Sequence, residues 1–174
     1  MDIILASQSP RRRELLERMG LTGFRVVSPD VDENLGEELP PAELVSRLSR
    51  RKAQAVAQQV KQDALIVAAD TVVALEGTIL GKPADELSAF RMLTTLSGAR
   101  HQVYTGLTVL RGEEICTEYE VTDVPFRELS EGEIEDYIRT GEPMDKAGAY
   151  GIQGYGALFI EGIQGDYYNV MGLP

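Results

Sequence analysis

Ile3-Ile4-Leu5-Ala6-Ser7-Gln8-Ser9-Pro10-Arg11-Arg12-Arg13-Glu14-Leu15-Leu16 reads as a short apolar strand running through two serines into an amphipathic helix. Ser9 suits the N-cap. Pro10 suits the first helical position, because its missing N–H would be unpaired there anyway. Three successive arginines at a helix start oppose the macrodipole, a local cost that a bound polyanion would offset. Backbone N–H groups, two hydroxyls and up to three guanidinium groups at one helix end suit a phosphate chain, which arginine grips bidentately. The plainer reading is a capped helix with a solvated basic first turn.

Working outward, the pattern predicts a strand over 2–6 and a helix over 10–20 closed by Gly20. A second strand follows from Phe24 to Ser28, then an acidic loop from Pro29 to Leu39. Pro40-Pro41 opens a long helix reaching about Val60, with Val45, Leu48 and Val56 on one face. Leu65 to Leu75 is near-continuously apolar and β-branched, as in a central strand covered on both faces. Residues 86–97 form an amphipathic helix with Leu87, Phe90, Leu93 and Leu96. Val103–Leu110 and Ile115–Phe126 read as a hairpin. Ser130 and Glu133 form a capping box for a helix to about Thr140. Lys146 to Gly156 is rich in Gly and Ala, and Leu158–Ile160 and Tyr167–Val170 read as short final strands. The expectation is a single α/β domain over 1–174 with a mixed sheet. The closing Gly172-Leu173-Pro174 resembles the approach to another helix, so a terminal helix is expected to be missing from this sequence.

Composition narrows the class. A net charge of −11 argues against a nucleic-acid polymer or an anionic membrane as partner. It makes the local arginine cluster more informative. The single Cys116 excludes an intramolecular disulfide and fits a reducing compartment; its place in a strand gives it no further role. The single His101 excludes a His-rich metal site and argues against a Ser-His-Asp triad. There is no apolar run of ~18 residues and no signal-peptide pattern, so a soluble cytoplasmic protein is expected.

Several charges stand in apolar places. Lys52 shares the face of Val45, Leu48 and Val56, where a lysine snorkels or meets an anion. Asp70 interrupts Val67-Ala68-Ala69-Asp70-Thr71-Val72-Val73, and a carboxylate there is expensive unless paired, hydrogen-bonded or holding a metal. Gly81-Lys82-Pro83 and Asp32-Glu33 are weaker signals, since turn lysines and acidic loops are usually solvated. In Gly141-Glu142-Pro143-Met144-Asp145-Lys146-Ala147-Gly148-Ala149-Tyr150-Gly151-Ile152-Gln153-Gly154, small residues allow backbone to approach a ligand, and the Gln153 amide suits a base edge. Phosphate-binding cations with carboxylates suggest metal-assisted phosphoryl chemistry with Mg²⁺ or Mn²⁺. Neither a Walker loop nor a dinucleotide fingerprint is present.

Ser7-Gln8-Ser9-Pro10-Arg11-Arg12, Lys52-Ala53, Ala69-Asp70-Thr71-Val72-Val73, Gly81-Lys82-Pro83 and the run from Asp145 to Gly154, in this order, resemble the Maf family of nucleoside triphosphate pyrophosphatases, once described as septum-formation inhibitors. The likeness spans nearly the whole chain. It implies the Maf/inosine-triphosphatase-like fold, an elongated mixed sheet flanked by helices with a cleft between two lobes, often in a homodimer. It implies cleavage of the α–β phosphoanhydride with a divalent metal. Lys146 to Gln153 is similar to the dTTP/UTP branch, whereas the 7-methyl-GTP branch carries a Cys-Ala-Gly-type segment. By that resemblance Asp70 is the proton acceptor, and Arg11, Thr71 and Gln153 bear on substrate selection. Arg12, Lys52 and Lys82 surround the phosphates with Ser7 and Ser9, and Glu33 joins Asp70 as metal or water partner. Competing expectations are a 7-methyl-GTP or broad modified-nucleotide pyrophosphatase, and a non-enzymatic nucleotide-binding regulator of division.

Overall fold

The computed structural model describes residues 1–60 and 63–174. In chain order the elements are β1 (Asp2–Leu5), α1 (Pro10–Arg18), β2 (Arg25–Val26), α2 (Pro41–Gln59), β3 (Ala64–Leu75), β4 (Thr78–Leu80) and α3 (Glu86–Leu96). They continue with β5 (Arg100–Arg111), β6 (Glu114–Pro125), α4 (Glu131–Arg139) and α5 (Tyr167–Met171). Short 3₁₀ segments occupy Glu142–Asp145, Ala147–Ala149 and Tyr155–Phe159.

The strands form one sheet in the order β2-β1-β3-β5-β6, with β4 also on β3. β1 pairs in parallel with both β2 and β3, while β4 pairs antiparallel with β3. The α/β class and the mixed sheet are therefore as expected. β3 is central because its apolar run has no solvated face: Ile66 through Asp70 are all buried. β5 and β6 are joined through Gly112 and Glu113, with Gly112 at φ 58°.

The contacts divide the chain into two compact units. The first comprises Met1–Thr71, Thr105–Glu120 and Gly172–Pro174. Its core is built from Ile4, Ala6, Ala53, Val56, Ile66 and Leu110. Here α2 lies hard against β5: a Cβ on Gly106 would stand 2.2 Å from the Val45 carbonyl oxygen. Only glycine permits that approach, and it brings the inward face of α2 down onto the sheet.

The second unit comprises Val72–Tyr104 and Val121–Met171. Its core includes Leu93, Leu96, Val103, Val124 and Ile134. Aromatic rings meet edge to face in it, His101 against Phe126, Phe126 against Tyr150, and Tyr137 against Phe159. The Ser130–Glu133 capping box forms as expected, and a second one, Asp85–Ser88, starts α3. Leu87 departs from its expected core position, lying 58% exposed.

Two expected strands are replaced. Leu158 and Phe159 belong to the 3₁₀ segment, and Ile160 makes only an isolated bridge to Phe126. Gly154, Gly156 and Ala157 allow that tight winding, and Arg127 fixes it through the Leu158 carbonyl at 2.8 Å. Tyr167–Met171 is helical because Asp166 accepts the Tyr168 N–H at 2.9 Å, a side-chain start that competes with extended backbone.

Candidate active site

β1 ends at Leu5, and Ala6 continues its pairing by donating its N–H to the Val67 carbonyl at 2.8 Å. This sets the following serines beside β3. Ser9 occupies the N-cap position, but its hydroxyl makes no capping bond. Its N–H instead donates to the Ser7 hydroxyl at 3.2 Å. Ser7 is thus the serine that organises the turn.

The three arginines separate by helical position. Arg13 faces outward, paired with Glu17 at 3.0 Å one turn on. Arg11 makes no hydrogen bond or ion pair among the described residues. Arg12 turns inward. Its Nε donates to the Gly172 carbonyl at 2.7 Å, Nη1 to the Ser7 hydroxyl at 3.2 Å and Nη2 to the Thr71 hydroxyl at 3.0 Å. Thr71 is itself held by the buried Thr105 hydroxyl at 2.8 Å. All three acceptors of Arg12 are neutral, so the group is oriented without being neutralised. Burial draws the Arg12 pKa below the ordinary arginine value, and the Asp70 charge acts the other way. The guanidinium stays protonated in the physiological range.

One residue before Thr71, Asp70 is 7% exposed on β3. Lys52, 8% exposed on the packed face of α2, donates from Nζ to Asp70 Oδ1 at 2.6 Å. Glu33 Oε1 lies 2.8 Å from the same Nζ. Both expensive charges in the apolar pattern therefore meet each other. The Glu33 loop is shaped by successive side-chain turns: Asp32 accepts the Asn34 N–H at 2.9 Å, and Asn34 accepts the Gly36 N–H at 2.8 Å. Asp70 Oδ2 accepts no hydrogen bond among the described residues, which leaves it for a water or a cation.

No group of three or more His, Cys, Asp or Glu is placed to hold a metal among the described residues. A divalent ion at Glu33 and Asp70 would have two protein carboxylates, the number with which Mg²⁺ binds when phosphates and waters complete its shell. The chemistry of the donor set fits that mode.

Ser7, Ser9, Arg11, Arg12, Glu33, Lys52, Asp70 and Thr71 all lie in the first unit. The structure joins Ser7, Arg12 and Thr71 in one network and Glu33, Lys52 and Asp70 in another, linked by the adjacency of Asp70 and Thr71. Lys82 and Gln153 belong to the second unit. Lys82 is exposed on the turn after β4, whose Gly81 carbonyl accepts the Gly148 N–H at 3.1 Å. Gln153 is exposed on a turn between Gly151 and Gly156. Gly172 and Thr105 went unrecognised in the sequence. A backbone carbonyl leaves no compositional trace, and Thr105 looks like any strand threonine.

The description Maf-like protein fits residues 2–174, and the chain belongs to that family. It is 53% identical over 172 residues to a dTTP/UTP pyrophosphatase of Symbiobacterium thermophilum, covering 99% of this chain and 88% of that one. It is 49% identical over 172 residues to a dTTP/UTP pyrophosphatase of Bacillus cereus strain ZK / E33L, covering 99% and 89%. Among solved structures, the Staphylococcus aureus Ham1 protein overlays with a TM-score of 0.47 at 14% identity, covering 72% of each chain.

Proposed function

We propose that this protein is a nucleoside triphosphate pyrophosphatase acting on dTTP and UTP, yielding the nucleoside monophosphate and pyrophosphate. The observation that carries the chemistry is Asp70, a carboxylate in an apolar strand with one oxygen held by Lys52 and the other open. The choice of pyrimidine rests on relatives of that name at about half identity over nearly the whole chain.

In this reading Asp70 Oδ2 accepts a proton from water as its oxygen attacks the α-phosphorus, and the bridge to the β-phosphate breaks. The negative charge leaves on pyrophosphate. Arg12, preset by neutral acceptors, stabilises phosphate oxygens without reorganising. Arg11 and Lys82 add unpaired cationic charge. Ser7 and Ser9 line the turn beneath. Lys52 keeps Asp70 oriented. Glu33 and Asp70 would hold Mg²⁺ or Mn²⁺, which supplies charge neutralisation at the phosphates. Thr71 and Gln153 bear on substrate choice, with the Gln153 amide facing the O4/N3 edge that thymine and uracil share. The methyl that separates those bases is worth only ~1–3 kcal/mol in a pocket, which supports a mixed preference. A cytoplasmic, house-cleaning, homodimeric enzyme completes the proposal. Among the described residues no helix is long and apolar enough to cross a membrane.

The test is pyrophosphate release from dTTP, UTP, 7-methyl-GTP and purine triphosphates with Mg²⁺ or Mn²⁺, beside Asp70→Asn. Release from dTTP and UTP that the substitution abolishes is the expected result. Preference for 7-methyl-GTP would move the chain to the other branch. No release by folded protein would favour a nucleotide-binding regulator.

A further inference from the structure

The segment around Gln153 is more rigidly built than an exposed glycine-rich turn requires. Tyr150, before it, is 5% exposed with its hydroxyl 2.6 Å from His101 Nε2. The Gly151 N–H donates to the Tyr137 hydroxyl at 3.2 Å. That hydroxyl donates in turn to Glu142 Oε1 at 2.8 Å. The same carboxylate accepts the Tyr155 N–H at 3.0 Å on Oε2 and the Gly156 N–H at 3.2 Å on Oε1. One phenol and one carboxylate therefore hold both ends of the turn, with Ile152, Gln153 and Gly154 between them.

The glycines fit this reading. A Cβ on Gly156 would stand 2.5 Å from the Gly151 carbonyl oxygen, so the two ends of the turn touch. A Cβ on Gly154 would stand 2.2 Å from Glu142 Oε2. Lys146 closes the remaining side: its Nζ donates to the Glu142 carbonyl at 2.7 Å, and its stem would meet a Cβ on Gly151 at 2.7 Å. Burial pushes the Glu142 carboxyl up, but hydrogen bonds from Tyr137, Tyr155 and Gly156 outweigh it and hold the group below the usual range. Glu142 is an anion spent on backbone N–H groups rather than on a substrate.

We infer that Tyr137 and Glu142 are positioning residues for nucleobase selection: they preorganise the Gly151–Gly156 turn so that the Gln153 amide meets the pyrimidine edge at a set height and angle. The inference rests on Gln153 as the base reader. Preorganisation matters because a mobile amide can swing to satisfy a wrong base edge, whereas a fixed one is left unpaired by it and so discriminates.

Tyr137→Phe keeps the ring against Phe159 and removes only the hydroxyl. Glu142→Gln keeps the shape but replaces one acceptor oxygen with an NH2 donor that faces backbone N–H donors. Gln153→Ala is the reference. For each, kcat and KM are measured for dTTP and for 7-methyl-GTP, with thermal unfolding and amide hydrogen exchange at 151–156. We expect Tyr137→Phe and Glu142→Gln to raise KM for dTTP about tenfold, the equivalent of one lost hydrogen bond. The dTTP to 7-methyl-GTP ratio should fall, kcat should change much less, and exchange should quicken in the turn. Unchanged discrimination in both folded variants overturns the inference while leaving the proposed activity intact. Discrimination lost in both but kept in Gln153→Ala overturns Gln153 as the reader and leaves the turn itself as the reading element. Loss of all turnover in the unmodified protein defeats the activity on which both rest.

Discussion

Asp70 and Lys52, both buried, hold each other at 2.6 Å. Removing one partner strands the other in low dielectric, so Lys52→Met should destabilise the fold by roughly 3–5 kcal/mol. Lys52→Met combined with Asp70→Asn should regain much of that loss, and urea unfolding of the three proteins measures it. Asp70→Asn alone should lower kcat by about 10²–10⁴, the usual worth of a general base, with nucleotide binding retained. Equal turnover would remove Asp70 from that role. At this scale the sequence was informative because a charge in an apolar pattern is conspicuous: Asp70, Lys52 and the arginine run all stood out. Ser9 misled, because the cap position was right while the hydroxyl that orders the turn belongs to Ser7. Glu142 was hidden in a stretch read for its glycines.

At the scale of elements, the seating of α2 on β5 decides where Lys52 stands. Gly106→Ala would drive a methyl into the Val45 carbonyl and should cost about 1–3 kcal/mol by overpacking. It should also weaken turnover by lifting Lys52 from Asp70; unfolding curves and steady-state kinetics together check this. Ser130→Ala, far simpler, should cost about 1 kcal/mol through α4 with no effect on kcat. Long elements were readable from period and caps: α2, β3 and the β5–β6 hairpin fall where predicted. The short ones near the end were not. Tyr155–Phe159 and α5 are decided by side chain to backbone bonds from Arg127 and Asp166, which periodicity does not register.

For the molecule as a whole, acid stability is set in part by His101. It is fully buried, faces the Tyr150 hydroxyl and Phe126, and its Nδ1 has no hydrogen-bond partner among the described residues. Burial lowers its pKa from 6.5 to about 4, with Asp123 acting weakly in the opposite direction. Between those values the unfolded chain binds a proton that the folded protein refuses. Stability should therefore fall as pH drops from about 6.5 to 4, by about 3 kcal/mol at most, and this contribution levels off below. Urea midpoints of the protein and of His101→Gln across that range test the effect, which the variant should lack. Glu133, held at about 2 by Arg127 and the Ser130 cap, adds a loss only at lower pH, below the unfolded carboxyl value of 4.5. Nothing in the sequence announced a buried histidine; a lone His beside strand residues has no signature.

Arg12 takes its three acceptors from Ser7, Thr71 and Gly172, the last of them 160 positions further along the chain. During synthesis at ~5–20 residues per second, the arginine waits roughly ten to thirty seconds for the carbonyl that fixes its Nε. A nascent chain can pair β1 with β3 long before then. The Arg12 side chain, however, remains one contact short until Gly172 has been made. A nascent copy that has not reached Gly172 therefore holds Arg12 through Ser7 and Thr71 alone, with its Nε still unfixed.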